Sequence, residues 1–170
     1  WDLLLASQDV ARRWRHQQLD VEHLMQVLFS DGAYGKRIGN LPINQSDLLD
    51  RLENFLEEQP IARGEELFIG DALEDLLENA EHCRVRWGSK FIDLSHLLIG
   101  IGRDQRIGVE IFGSLGIPSE KLEAFLHKSP VKQRSNSFNS QKPSSLTKHQ
   151  NSNLIRENEA TKSGPKKLEY

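Results

Sequence analysis

Cysteine is almost absent from this sequence, and its scarcity excludes several classes of protein. Cys83 is the one cysteine in 170 residues, so the chain can form neither an internal disulfide nor a cluster of thiolate ligands for zinc. An unpaired thiol is typical of a reducing compartment, so we expect a cytoplasmic location. No apolar run reaches the roughly 18 residues that a membrane span needs, and no contact with a membrane is expected.

Catalytic and nucleotide-binding motifs are also missing. The sequence has no P-loop for a nucleotide phosphate, no His-Glu-x-x-His zinc motif and no Gly-x-Ser-x-Gly nucleophile turn. We therefore expect that this chain is not an enzyme, holds no metal and needs no cofactor.

Charge divides the chain into two parts. Residues 1–127 hold 13 Lys and Arg against 22 Asp and Glu, a net of −9, whereas residues 128–170 hold 9 against 3, a net of +6. An acidic body argues against a nucleic-acid-binding domain, which would show a basic face. The basic charges of the tail are dispersed, which favours a solvated linker.

An internal duplication is the most informative pattern that is present. Residues 20–31 recur 73 positions later as residues 93–104. The match pairs Trp14 with Trp87, Leu19 with Ile92, Asp20 with Asp93, His23 with His96, Leu28 with Ile101 and Asp31 with Asp104. A unit of about 60 residues is marginally stable alone, whereas two copies packed together bury a common core.

Apolar residues recur at helical spacing in both copies, so we expect an all-α domain with two pseudo-symmetric four-helix repeats. Asp20 and Asp93 are expected to cap the second helix of each copy. Repeat one spans 1–59 and repeat two spans 71–128. Helices are predicted at 2–14, from the Asp20 cap to a stop at Gly32, at about 33–40, 45–58 and 71–86, from the Asp93 cap, and at about 106–114 and 119–127.

Residues 129–164 have a different composition. Ser, Asn, Gln, Lys and Pro dominate, and apolar residues are sparse. Such a segment cannot bury enough apolar surface to offset the entropy of ordering, so we expect a flexible linker.

The paired histidines, His23 and His96, invite a metal interpretation. Each follows a capping aspartate by three residues, where a ring can pack inward and bond to the backbone, and no further ligands surround either one. We interpret both as structural. Cys83 lies on the apolar side of its helix and is expected to be a small buried hydrophobic residue.

The residues that carry the duplication also carry a family resemblance. His16–Leu28 resembles the first repeat of a Clp amino-terminal domain of the ClpB type, and Lys90–Leu98 resembles the second, continued by Asp104–Gly108. The resemblance covers 1–128. Residues 165–170 resemble the start of an AAA+ ATPase module, which implies that the chain is the amino-terminal domain and linker that precede such a module.

The resemblance implies a role in handling polypeptides. Members of this family are homohexameric ATPases that thread aggregated protein through a central pore, and their amino-terminal domains engage unfolded or aggregated polypeptides and sometimes adaptor proteins. By resemblance, the client groove would include Leu3, Leu77, Phe91 and Ile92. Many members carry acids where this chain has Ser89 and Ser95, so client contact at these two positions is expected to differ.

Three alternatives remain open at this point. The chain resembles, less closely, the adaptor-docking domain of the ClpA and ClpC protease partners, and a standalone Clp-repeat binding protein is a further alternative. A standalone enzyme with an unrecognised site is the third. Such an enzyme would show a cluster of buried ionisable groups in a cleft, which nothing in the sequence leads us to expect.

Overall fold

The computed structural model of the chain describes residues 1–30, 32–64 and 66–128. Within them, eight helices form two repeats of four, as the duplication predicts. Repeat one contains α1 (Asp2–Trp14), α2 (Val21–Ser30), α3 (Gly32–Ile38) and α4 (Gln45–Glu57), and repeat two contains α5 (Asp71–Arg86), α6 (Leu94–Arg103), α7 (Gly108–Ser114) and α8 (Ser119–Lys128). The predicted linker at 129–164 and the predicted module start at 165–170 lie outside the described residues.

The second helix of each repeat forms the centre of its half. α2 packs against α1, α3 and α4, and α6 packs in the same way against α5, α7 and α8. Leu24 and Leu28 in α2 and Leu98 and Ile101 in α6 are fully buried, and each such side chain contributes about 1.5–3 kcal/mol to folding. The two halves meet where α2 contacts α5 and α4 contacts α7.

Gly100 allows α6 to lie close against α5. A Cβ atom at this position would stand 2.7 Å from the backbone carbonyl oxygen of Leu76, well inside normal contact distance. Any larger residue would force the two helices apart, so the packing of repeat two depends on this glycine.

A carboxylate caps α6 at its first turn. Oδ1 of Asp93 accepts hydrogen bonds from the backbone N–H groups of Ser95 and His96 at 2.9 and 3.3 Å. In return, Nδ1 of His96 accepts from the Asp93 backbone N–H at 2.9 Å. The histidine thus completes a reciprocal cap in the place where Glu or Gln usually stands.

Two local features differ from the expectation. Gly32 begins α3 rather than ending α2, because α2 already ends at Ser30. The connector between the repeats contributes a short strand, β2 (Phe68–Ile69), which pairs in parallel with β1 (Gln18–Leu19). Strands of two residues are too short for alternation to be visible in a sequence.

Cys83 is buried within α5, as expected, and burial raises the pKa of its thiol. None of the helices in the described part of the chain has the length and apolar character needed to cross a bilayer.

Candidate functional site

The predicted groove residues lie at very different depths. Phe91 is 68% exposed and Ile92 is 36% exposed, and both lie in the loop between α5 and α6. Leu77 and Ser89 are half-buried. Leu3 belongs to the core and Ser95 is fully buried, so neither can contact a polypeptide on the surface of this conformation.

Two adjacent side chains of this loop define an apolar loop surface on repeat two, namely Phe91 and Ile92. The loop is held by Arg84, whose guanidinium donates to the carbonyl oxygen of Ser89 at 2.7 Å and to the Glu81 carboxylate at 2.6 Å. This hydrogen bond from Arg84 lowers the pKa of Glu81. Phe91 therefore projects from a braced loop.

A second cluster, absent from the sequence-based expectation, joins the two repeats. Arg106, from the loop between α6 and α7, approaches Oδ2 of Asp20 at 2.8 Å and Oε1 of Glu22 at 3.2 Å. Both carboxylates belong to repeat one and are buried. Burial raises the pKa of each carboxyl, against the opposing effect of Arg106. Burial would lower the pKa of Arg106, but the two carboxylates outweigh it and the pKa is raised.

Asp20 also touches the start of repeat two. Its Oδ1 accepts from the Val21 backbone N–H at 3.0 Å, and the backbone N–H of Leu73 in the first turn of α5 also stabilises its charge. A Cβ atom at Gly70, the residue that precedes α5, would overlap this carboxylate. Asp20 thus serves the first turn of two helices, whereas its counterpart Asp93 caps only its own.

The two histidines of repeat one form a directed chain of hydrogen bonds. The backbone N–H of Asp20 donates to Nδ1 of His23 at 2.9 Å, so the neutral His23 ring carries its proton on Nε2. That proton points to Nδ1 of His16 at 2.8 Å, and the Leu56 carbonyl accepts on the other side of His16. Burial lowers the pKa of His16 and, together with the charges of His16 and Arg106, lowers the pKa of His23 to about 4.

Repeat two lacks this relay. His96 is fully buried and its ring lies 5.2 Å from Trp87, but its Nε2 atom has no hydrogen-bond partner among the described residues. The position that corresponds to His16 is Ser89, 73 residues later in the chain. The two structural histidines therefore hold the same place in the fold with different surroundings.

His16, Glu22 and Arg106 line a cleft of about 490 Å³ together with Ile61 and Phe68 of the connector. An unexplained cluster of buried ionisable groups in a cleft would be the sign of an unrecognised enzyme site. The bonding assigns the cluster a structural role, because Arg106 neutralises the two carboxylates and the histidines satisfy one another. Within the described residues no group of three or more His, Cys, Asp or Glu side chains is placed to hold a metal.

One signal in the sequence could have revealed this cluster. Glu22 is the one acidic residue in a helix whose other positions are mostly apolar, and it is 3% exposed. A carboxylate in such a helix needs a counter-charge. The partner, Arg106, could not be identified from the sequence because 84 positions separate the two residues.

Comparison with known proteins establishes the class to which this fold belongs. Residues 1–115 match the family described as the Clp repeat (R) N-terminal domain, and the chain belongs to that family. Among solved structures, the amino-terminal domain of Hsp104 from Candida albicans superposes with a TM-score of 0.61 at 14% identity, covering 72% of this chain and 82% of that one. The amino-terminal domain of the ClpV1 ATPase from E. coli gives a TM-score of 0.58 at 18% identity, covering 73% and 78%. These two likenesses concern the fold alone.

The chain is also similar in sequence to proteins that carry ClpB names. The chain is 53% identical over 131 residues to Chaperone protein ClpB 2 of Parasynechococcus marenigrum, covering 77% of this chain and 15% of that protein. It is 32% identical over 127 residues to Chaperone protein ClpB 1 of a Nostoc species, covering 73% and 14%. The chain thus spans about 15% of the length of the curated relatives that it matches.

Proposed function

We propose that this chain is the non-catalytic client-binding domain of a ClpB-type disaggregase. In this proposal it engages unfolded or aggregated polypeptide in the cytoplasm and delivers it to the pore of a homohexameric AAA+ ATPase for refolding. Its sequence relatives carry ClpB chaperone names, which favours this class over the ClpA and ClpC adaptor-docking domains. The observation that carries the proposal is the apolar loop surface, and above all the exposed Phe91.

The apolar loop surface has the properties that low-specificity recognition requires. Phe91 and Ile92 offer apolar area that a client would remove from water, and Lys90 lies 5.2 Å from the Phe91 ring as part of a polar rim. The hydrogen bond from Arg84 to Ser89 holds the loop before a client arrives, which lowers the entropy lost on binding. A surface of this size supports only weak binding, with a Kd in the micromolar range or above.

Titration of the whole chain with a labelled, permanently unfolded protein tests the proposal. Phe91→Ser should weaken binding about fivefold to tenfold, because most of the apolar contact is removed. Val109→Ser is a matched control, since Val109 is also exposed but lies on α7. Circular dichroism of both variants checks that the fold is kept.

Two results would overturn this assignment. Wild-type chain that shows no saturable binding up to millimolar concentration would exclude a client-binding domain. Equal losses in the Phe91 and Val109 variants would exclude the apolar loop surface as the place of contact.

A further inference from the structure

A basic cleft lies on repeat one, on a domain that is otherwise acidic. Arg12 and Arg15 from the end of α1 and Arg63 from the connector line a cleft of about 680 Å³, with His16 in its wall and Glu66 as an acidic residue among its described lining. Residues 1–127 hold 13 basic against 22 acidic residues. Three guanidinium groups around one cleft are therefore a local positive charge on a domain whose net charge is negative.

These guanidinium groups are poorly neutralised. Arg12 meets Asp9 at 3.6 Å, but both side chains are mostly exposed, and such a pair is weak. Neither Arg15 nor Arg63 has an ion-pair partner among the described residues. The unpaired carbonyl groups at the C-terminus of α1 favour basic residues in its last turn. They do not explain Arg63, which comes from another segment.

Comparison of the two repeats shows that Arg15 adopts an unfavourable backbone conformation. Arg15 has φ 59° and ψ 35°, the left-handed conformation that favours glycine. Its counterpart 73 residues later is Gly88, with φ 65°. The same turn is therefore made without strain in repeat two and with strain in repeat one. In repeat one the arginine that replaces glycine places a cation at the cleft.

The basic cleft continues into the neighbouring cleft of the joint between the repeats. His16 and Ala62 line both, and the Ala62 backbone N–H donates to the carbonyl oxygen of Arg15 at 2.6 Å. In the neighbouring cleft the side chains of Ile61 and Phe68 are 65% and 50% exposed. The result is one groove with cationic side chains at one end and apolar side chains at the other.

We propose that this groove binds an extended acidic segment of a partner polypeptide, with its carboxylates on Arg12, Arg15 and Arg63 and a neighbouring apolar side chain over Ile61 and Phe68. The inference rests on the proposed function, because it names a second class of polypeptide that the domain takes. Charge complementarity selects the acidic segment, and the apolar end selects a peptide over a free anion.

Binding of labelled peptides to the whole chain tests this proposal. The probe is a fluorescein-labelled Gly-Glu-Phe-Glu-Glu-Phe-Glu-Gly peptide, compared with the same peptide carrying Gln in place of Glu and with inorganic phosphate as competitor. We expect the Glu peptide to bind at least about fivefold more tightly than the Gln peptide. The difference should shrink as salt is raised, because exposed charges are screened beyond about 8 Å at physiological ionic strength.

Three variants locate the site. Arg63→Gln should weaken binding of the Glu peptide about fivefold, whereas Arg51→Gln, which removes an exposed arginine of α4, should leave it unchanged. Arg15→Gly should weaken binding while raising the urea midpoint of unfolding, because it restores the residue type that Gly88 supplies in repeat two. A purely structural arginine would not show these opposite effects.

The contrary outcomes are specific. Equal binding of the Glu and Gln peptides, or equal losses of affinity in the Arg63 and Arg51 variants, would overturn the proposal that this groove binds an acidic segment. Displacement of the Glu peptide by phosphate at similar concentration would replace it with a simple anion site. If the unfolded protein binds and neither peptide does, the groove fails and the client-binding function stands; if the unfolded protein does not bind, the proposed function itself fails.

Discussion

The contribution of His23 to the stability of the domain should be lost as the pH falls from about 6.5 towards 4, because the fold requires a neutral ring at this position. The ring is fully buried, its Nε2 atom donates to His16, and its Nδ1 atom accepts from the backbone N–H of Asp20. Protonation at Nδ1 would break the bond from Asp20 and leave a charge in the core. Burial is the main reason that the pKa of His23 falls to about 4 in the folded state. An unfolded chain returns this histidine to its ordinary value of 6.5.

The size of the effect follows from these two values. Below pH 6.5 the unfolded chain takes up a proton at His23, whereas the folded chain does not until about pH 4. The unfolded state is therefore stabilised relative to the folded state throughout that window. A tenfold change in a protonation constant is worth about 1.4 kcal/mol, which gives about 3 kcal/mol in full and about 2 kcal/mol between pH 7 and pH 5. His16, whose pKa is also lowered, acts in the same direction.

Neighbouring carboxyl groups act in the opposite direction. The pKa values of Asp20 and Glu22 are raised by burial, so the folded state takes up protons more readily than the unfolded state and gains stability as the pH falls. The pH profile of the wild-type chain is therefore a sum. Subtracting the profile of His23→Gln, which removes this one titration, isolates the contribution of the ring.

Urea unfolding at a series of pH values measures the difference. The unfolding free energy of wild type minus that of His23→Gln should fall by about 2 kcal/mol as the pH is lowered from 7 to 5. His82→Gln is the matched control, because its exposed ring should leave the profile unchanged. A wild-type-minus-variant difference that is constant between these two pH values would refute the argument from the hydrogen-bond chain.

Two further changes test the packing of the domain. Arg106→Gln should cost about 2 kcal/mol of unfolding free energy, because Glu22 would stay buried without a counter-charge. Adding Glu22→Gln should recover part of that loss, because Asp20 would still lack its partner. Urea unfolding of the single and double variants would show no recovery if the pair of Glu22 with Arg106 were irrelevant. Gly100→Ala should cost about 1–3 kcal/mol because its Cβ would strike the Leu76 carbonyl, whereas Gly113→Ala, with no atom within 4 Å, should be neutral or slightly stabilising. Equal shifts in Tm for these two glycine variants would contradict the close approach of α5 and α6.

Helices and caps could be predicted because their causes are local. α5 begins and ends where the apolar spacing indicates. The cap at Asp93 involves only four consecutive residues, 93–96. The inward rings of His23 and His96, each accepting from the backbone N–H of its own aspartate, follow from the same short pattern.

Features made by distant segments could not be predicted. The ion pair of Glu22 with Arg106 and the approach of Arg63 to the end of α1 depend on how two repeats dock, and no local pattern encodes that. Exposure was hard to judge for a related reason. Leu3 lies in the first turn of α1 and Phe91 in the loop before α6, and only the packing of neighbouring elements decides that Leu3 is covered and Phe91 is not.

The pairing of Arg106 with Asp20 and Glu22 makes the two halves non-interchangeable. Under the offset that aligns the repeats, the residue that corresponds to Arg106 is Ala33, so repeat one has no arginine to offer in return. Two copies of repeat one would bury Asp20 and Glu22 without a counter-charge. Two copies of repeat two would present the arginine to Asp93 and to Ser95, a serine in the place of Glu22. The ion pair therefore makes the duplicated fold asymmetric: repeat one supplies the buried acids at the joint and repeat two supplies the cation.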